Sequence, residues 1–441
     1  MAVGLCALFW AHPAGRADGR EWFVASGGSG TGSSDAPFGR IQDALNVAEP
    51  GDTISVRAGT YRETLRTIRG GSASQRIVLR GNASEPVVVT TRGRVLTVSH
   101  PYITVESLVL DGEYGADDTV RIGTDASHFT LRHAEVRHSG RDLIDLTAPP
   151  NVTIEDSLLH HALNSTGGRS DAHGIVAGPV QDLVVRNTEI HTFSGDAVQV
   201  DPGRSAPGWN RVLIDGCRFW LAPLDEAENG FAAGTVPGEN AVDTKARPGL
   251  PRAVITIRNT TAAGFRGGLL SNMAAFNLKE NVEATLDGVT VFDSEIAFRL
   301  RGPTPSTPAG AHVTIMNALV YDVATAFRYE NDIEVLHIWN TTLGRGIGRT
   351  FQAASSDSKG IDVQNGLFLG ALPREAVGPS NLAVGPGTFT DVSMNNYLPL
   401  SNAMPVDAGV SLIAVQRDRV GIRRPQGKAF DVGAYEIATQ P

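Results

Sequence analysis

The stretch GENAVDTKA, Gly238 to Ala246, sets Glu239, Asp243 and Lys245 around the short apolar step Ala241-Val242. Two carboxylates and an ammonium this close together, in a chain otherwise rich in Val, Ile and Leu, are groups that hold hard cations and move protons. A related stretch, DAVQVD from Asp196, ends in Asp201, and AFRLR from Ala297 carries Arg299 and Arg301. On strands stacked about 4.8 Å apart, Asp201 approaches Asp243, with Glu239 on the entering bend. The three carboxylates would then share an oxygen-liganded cation, for which calcium is the natural candidate. Arg266, Arg299 and Arg301 follow with positive charge, so the face runs from acidic to basic and suits an acidic sugar. Single charges on exposed strands usually serve solvation and modest cross-strand pairing. The ordered series, acids and then arginines, is what sets these apart.

Such a series needs a repeating scaffold, and the chain repeats. ITVESLVL from Ile103, FTLRHAEV from Phe129, VTIEDSLL from Val152, LVVRNTEI from Leu183 and VLIDGCRF from Val212 are versions of one segment. ITIRNTTA from Ile255, ATLDGVTV from Ala284, VTIMNALV from Val313, LHIWNTTL from Leu336 and IDVQNGLF from Ile361 continue it. Apolar residues at the first and third places give the period of a strand with one buried face. The fifth place is often a turn former: Asp156, Asn187, Gly216, Asn259, Gly288, Asn317, Asn340 and Asn365. These residues tolerate the left-handed backbone, so a column of them marks one corner on successive turns. The expected fold is all-β: a right-handed parallel β-helix of about ten turns, a rod about 50 Å long. A long gap between the copies at Val212 and Ile255 implies an inserted loop, roughly 221–239. Second strands follow each anchor: DLIDLT, HGIVAG, DAVQVD, NAVDTK, GGLLSN from Gly267, AFRLR and AFRYE. With Val198, Val200, Val242, Thr244, Leu269, Ser271, Phe298 and Leu300 inward, the outward set includes Asp201, Asp243, Lys245, Asn272, Arg299 and Arg301.

Composition agrees with a turn-rich β protein: of 441 residues, 49 are Gly, 41% are hydrophobic and only 6% are aromatic. A net charge of -9 argues against a broad nucleic-acid surface. The Gly/Ser run after Trp22 lacks the Lys-Ser/Thr of a phosphate loop. Residues 1–20 read as a leader, with an apolar run from Ala2 to Ala11 that is too short to span a bilayer and lacks a basic start, and imply a secreted protein. Residues 21–100 read as an N-terminal cap with a helix near Phe38 to Ala48 and the first turns, 101–370 as the solenoid with its groove, and 371–441 as an irregular tail lying back along the rod. Of two cysteines, Cys6 falls in the leader, so Cys217 is expected to be a lone thiol. His160, His161 and His191 read as ordinary surface histidines.

From Leu183 to Asp322 the chain resembles the calcium-dependent pectate lyases of the β-helix type. VVRNTEI…SGDAVQVD is similar to that family's segment ending in a calcium-binding aspartate, here Asp201. VLIDGCRFW is similar to its next strand, with Leu-Ile-Asp-Gly where the family has Trp-Ile-Asp-His. ENAVDTK followed by VITIRN resembles its acidic residue, Asp and Lys before a Val-Thr-Ile strand, which implies calcium at Glu239 and Asp243 and substrate at Lys245. FRGGLL places Arg266 in a substrate-binding role, and TLDGVTVFDSEIAFRLRG resembles the segment with the catalytic arginine. The family's Arg-x-Pro spacing is missing, which leaves Arg299, Arg301 and Lys245 all open as the base. The resemblance implies calcium-assisted β-elimination on an acidic polysaccharide such as pectate, by a monomer with no nucleic-acid partner and no membrane span.

Other chemistries fit the same face. SDAHG, with Asp171 and His173, is similar to the Asp-x-His of alginate epimerases and makes His173 a substrate-site candidate. Two carboxylates across a bond would suit glycoside hydrolysis. A groove that only holds glycan is the non-catalytic alternative.

Overall fold

The computed structural model describes residues 19–330, 332–354 and 360–438, so most of the leader falls outside the described residues. The chain winds as a right-handed parallel β-helix of roughly a dozen turns, more than the ten read from the repeats. The first sheet and the third, which carries Glu135–Ser139, Leu158–Ala162 and Glu189–Phe193, have 13 strands each, and the second has 11. The first sheet carries the anchor segments: Val152 pairs with Leu183, Leu183 with Val212, and Val212 with Ile255. The additional turns lie at the N-terminal end, where the strands Glu21–Val24, Thr53–Val56 and Ile77–Arg80 begin that same sheet.

The expected turn formers stand at the corners between the first and third sheets, and Ser107 and His133, φ 57° and 50°, hold the same place on two earlier turns. Asp156, Asn187, Gly216, Asn259, Gly288, Asn317, Asn340 and Asn365 all have φ between 46° and 68°. The side chains bond along the column, Asn187 Nδ2 to Asp156 Oδ1 at 3.0 Å and Asn365 Nδ2 to Asn340 Oδ1 at 3.1 Å. The first of these bonds is exposed and the second buried, where such an amide ladder satisfies the polar groups a sharp bend would otherwise strand. The C-terminal segment lies on this corner: Asn340 Nδ2 donates to Asp431 O at 3.0 Å, and the fully buried Arg424 reaches Glu436 at 2.8 Å.

One helix, Ile41–Val47, presses Ile41, Ala44 and Leu45 onto the first turn. Its free N-terminal amides are met from outside by Glu63, which accepts from Ile41 N at 2.8 Å and Gln42 N at 3.2 Å. Among the described residues no helix is long and apolar enough to cross a membrane.

The interior of the C-terminal half is a file of phenylalanines. Phe276, Phe298, Phe327 and Phe351 stack with centroids 5.7, 5.3 and 5.2 Å apart, each on its own turn of the 11-stranded sheet. Parallel in-register pairing puts identical rings face over face, so removing one strips contacts from two neighbours. Phe298→Ala is expected to cost about 3–5 kcal/mol in denaturant unfolding, as for other buried aromatic truncations. A loss below about 1 kcal/mol would show that the file does not support the rungs above it.

Candidate functional site

The residues assigned to the groove lie on the 11-stranded sheet. Its pairing matches Val198 with Val242, Gln199 with Asp243, and Val200 with Thr244. Asp243 therefore stands opposite Gln199, and Asp201 and Lys245 follow the last paired residues. The next rung corrects the expected stack. GGLLSN is not a strand: Leu269 and Leu270 are exposed in a bend, and the rung is Ala274–Leu278, with Asp243 paired to Asn277. The inward positions assigned to Leu269 and Ser271 belong to Phe276 and Leu278. Asn272 leaves the outward file, and Lys279 enters it.

Lys279 is the residue that the sequence reading missed. Its Nζ lies 2.7 Å and 2.8 Å from the two Asp243 oxygens, and Lys245 Nζ approaches the same carboxylate at 3.2 Å. The signal was present: AFNLK from Ala275 repeats the form of AFRLR and AFRYE. On the following rungs Arg299 pairs in register with Arg328, and Arg301 with Glu330. Glu330 gathers all three guanidinium groups, Arg299 at 3.2 Å, Arg301 at 3.5 Å and Arg328 at 3.2 Å. Asn272, now in the loop, accepts a hydrogen bond from Arg328 Nη1. Arg266 sits at the corner between the third sheet and this one, held by Asp293 at 3.2 Å and by Asp322 O at 2.7 Å.

On the other side of Asp243 runs a buried polar file. Backbone bonds from Thr119 to Asp142, Leu143 to His173, Gly174 to Asp196 and Ala197 to Asn240 place Asp142, His173, Asp196 and Asn240 on successive rungs. Asp196 accepts from Asn240 Nδ2 at 2.7 Å and Gln199 Nε2 at 2.8 Å. Burial, then the charges of Asp243 and Glu239, hold its carboxyl well above the usual range. His173 lies beneath Gly195, with Nδ1 accepting the Asp196 amide at 2.8 Å, and burial lowers its pKa. Its ring is 5% exposed, so it supports the groove from below rather than facing a substrate.

The calcium donors do not converge. Asp201 is buried, with Oδ1 accepting from Ser205 N at 2.9 Å and Oδ2 without a hydrogen-bond partner. Glu239 is turned to Arg169 at 3.4 Å, and Asp243 is covered by two ammonium groups. Among the described residues no three His, Cys, Asp or Glu side chains form a metal shell. The residues present do not fit calcium at Asp201, Glu239 and Asp243, because lysine nitrogens take the place a cation would need beside Asp243.

No family model and no curated protein sequence matches the chain. Its structure is similar to that of the pectate lyase Pel9A, with a TM-score of 0.57 and 15% identity over 96% of this chain and 97% of that one. A rhamnogalacturonan lyase matches with a TM-score of 0.58 and 14% identity, covering 88% of this chain and 96% of that one. A lacto-N-biosidase from Eubacterium ramulus matches with a TM-score of 0.52 and 10% identity, covering 78% and 68%. At such identities the likeness is one of fold.

Asp142 gives a pH test of the polar file. Burial pushes its carboxyl up to about 6, against the pull of His173. An acid with a raised native pKa contributes stability that is whole below its unfolded value, about 4, and is lost as pH climbs through about 6. Asp142→Asn keeps an oxygen for the His173 amide, which now bonds Oδ1 at 2.9 Å, and removes the charge. Between pH 4 and pH 7.5 the variant should gain about 2–3 kcal/mol relative to the parent in paired denaturant titrations. Parallel pH profiles would show that Asp142 is not the group strained by burial.

Proposed function

We propose that the chain is an enzyme that cleaves an acidic, uronate-containing polysaccharide by β-elimination. What supports this is the meeting of Lys245 and Lys279 on the single carboxylate of Asp243, beside the guanidinium groups of Arg299, Arg301 and Arg328. Among the described residues only Asp243 and Glu330 pair with these cations, so the face keeps a positive surplus for an anionic polymer although the whole chain is acidic. The three guanidinium groups, each tied to Glu330, hold the uronate carboxylate as charge builds on it. The base is then a lysine. Lys279, 15% exposed, takes the C5 proton once its own proton has passed to the Asp243 carboxylate 2.7 Å away, Lys245 supports the developing enolate, and the bond from C4 to the glycosidic oxygen breaks, that oxygen leaving with a proton from solvent. No step runs through calcium.

Epimerisation at the same carbon is less well supported, because the ring of His173 is covered by Gly195 and engaged by Asp196. Hydrolysis is the second reading. Two neighbouring carboxyl groups, Asp196 with its pKa raised by burial and Asp243 beyond it, are the kind of acid and base pair that glycosidases use. Polysaccharides of this kind are met outside the cytoplasm, so a secreted location belongs to the same proposal.

Polygalacturonate, alginate and glycosaminoglycans, each followed by the ultraviolet absorbance of the unsaturated product, test the proposal. One polymer should give a rising signal, and Lys279→Met should lower kcat by about 10²–10⁴. Lys245→Met should lose less. New reducing ends without absorbance would select hydrolysis. No product from any polymer, or full activity in Lys279→Met, would end the lyase reading.

A further inference from the structure

A second cluster stands on the outer face of the third sheet, away from the groove. His160 and His191 are paired in register and stacked at 5.1 Å, and Trp220 covers His191 at 4.2 Å. His161 belongs to the same group although it is the next residue after His160. Neighbouring residues of a regular strand point to opposite faces. His161 has φ 60°, as His138 on the preceding turn has φ 53°, and this left-handed step turns both imidazoles outward beside their neighbours. The ring of His138 lies 6.1 Å from His160 and 5.6 Å from His161.

The far nitrogen of each ring is spoken for. His160 Nε2 lies 3.2 Å from Glu135 Oε1, His161 Nε2 lies 3.4 Å from Glu228 Oε2, and His138 Nδ1 lies 3.1 Å from Asp111. Glu228 arrives from the inserted loop and is fixed there by a hydrogen bond from the Tyr114 hydroxyl. A neutral imidazole that donates one N–H to a carboxylate presents the other nitrogen as a lone pair. That rule makes Nδ1 of His160 and Nδ1 of His161 the nitrogens open to a metal; they face each other at 2.5 Å in a hydrogen bond whose one proton an incoming metal would displace. It also leaves Nε2 as the lone-pair nitrogen of His138. Imidazoles backed by carboxylates, with their free nitrogens converging, are the form in which proteins hold transition metals.

We propose that His160 Nδ1 and His161 Nδ1 are the two protein nitrogens of a site for a borderline divalent metal of the zinc or copper class, with solvent and His138 at the remaining positions. Among the described residues no three side chains already form a closed shell, so the site begins as this pair. Two nitrogens on one tetrahedral zinc, each about 2.0–2.1 Å from it, stand about 3.3 Å apart, which asks the rings to part by less than about 1 Å. The acceptors are nitrogens rather than a set of oxygens, so calcium and magnesium are poor occupants. Metal here would fix His161, and through Glu228 the inserted loop.

The test uses the full chain stripped with chelator and then titrated with Zn2+, Cu2+ or Ca2+ alone, so it is independent of any substrate. One equivalent of Zn2+ should bind and raise Tm, and the Cu2+ electron paramagnetic resonance spectrum should show nitrogen hyperfine splitting. The pair His160→Gln and His161→Gln should weaken zinc binding at least tenfold, and Glu228→Gln, acting through His161, by about 10–100-fold. Binding unchanged in these variants, a copper spectrum without nitrogen ligands, or equal affinity for Ca2+ would overturn the site. Should the double histidine variant not fold, the copper spectrum of the parent protein decides.

Discussion

Parallel pairing in register fixes every outward side chain one rung, about 4.8 Å, from its counterparts above and below, so each charge must be answered locally. The first sheet obeys this by alternation: Glu106 lies between Arg80 and Arg132 and bonds to both. The groove does not alternate. Arg299 is paired to Arg328, and the lysines crowd onto Asp243. Like charges directly opposite one another are unfavourable on a sheet. Their persistence here, relieved among the described residues by Glu330 and Asp243, is the observation on which the proposal of an anionic ligand rests.

The same constraint decides what could be read in advance. A corner repeated on every turn leaves a column of Asn, Asp and Gly in the sequence, and each of the residues read from it adopts the left-handed backbone. The pairing of DAVQVD with NAVDTK was equally legible, because apolar Val198, Val200 and Val242 admit one register when one face is buried. Reading failed one turn later, at 267–273. Leu269 and Leu270 have strand-like composition, yet the loop leaves them exposed, since Phe276 and Leu278 fill the interior better beneath Phe298 and Leu300. A slip of one loop removed Lys279 from view and with it the partner that separates Asp243 from a calcium ligand.

The histidine cluster was not legible for another reason. His160 and His161 are adjacent, and alternation assigns them to opposite faces. Only the positive φ at His161 brings both outward, and nothing in the local sequence requires a histidine to bend there. The rings then meet partners supplied from far along the chain, Glu135 one turn before and Glu228 from the insert. Periodicity reports faces, whereas a site assembled by a backbone irregularity is set by tertiary contacts.

The insert joins the two faces. It leaves the third sheet after Trp220 and enters the groove sheet at Val242, and its apolar anchors Leu224 and Phe231 pack with Leu163. From there Glu228 reaches the histidines, while Pro237 O and Glu239 hold Arg169 at the groove edge. A β-helix tolerates such an insertion because the rungs on either side still pair, Val198 with Val242 and Phe219 with Ala262. The loop therefore adds a wall and a carboxylate without disturbing the stack. The wall is positioned by contacts on the opposite side of the corner from the groove it borders, so the two faces share one loop while the core between them stays unchanged.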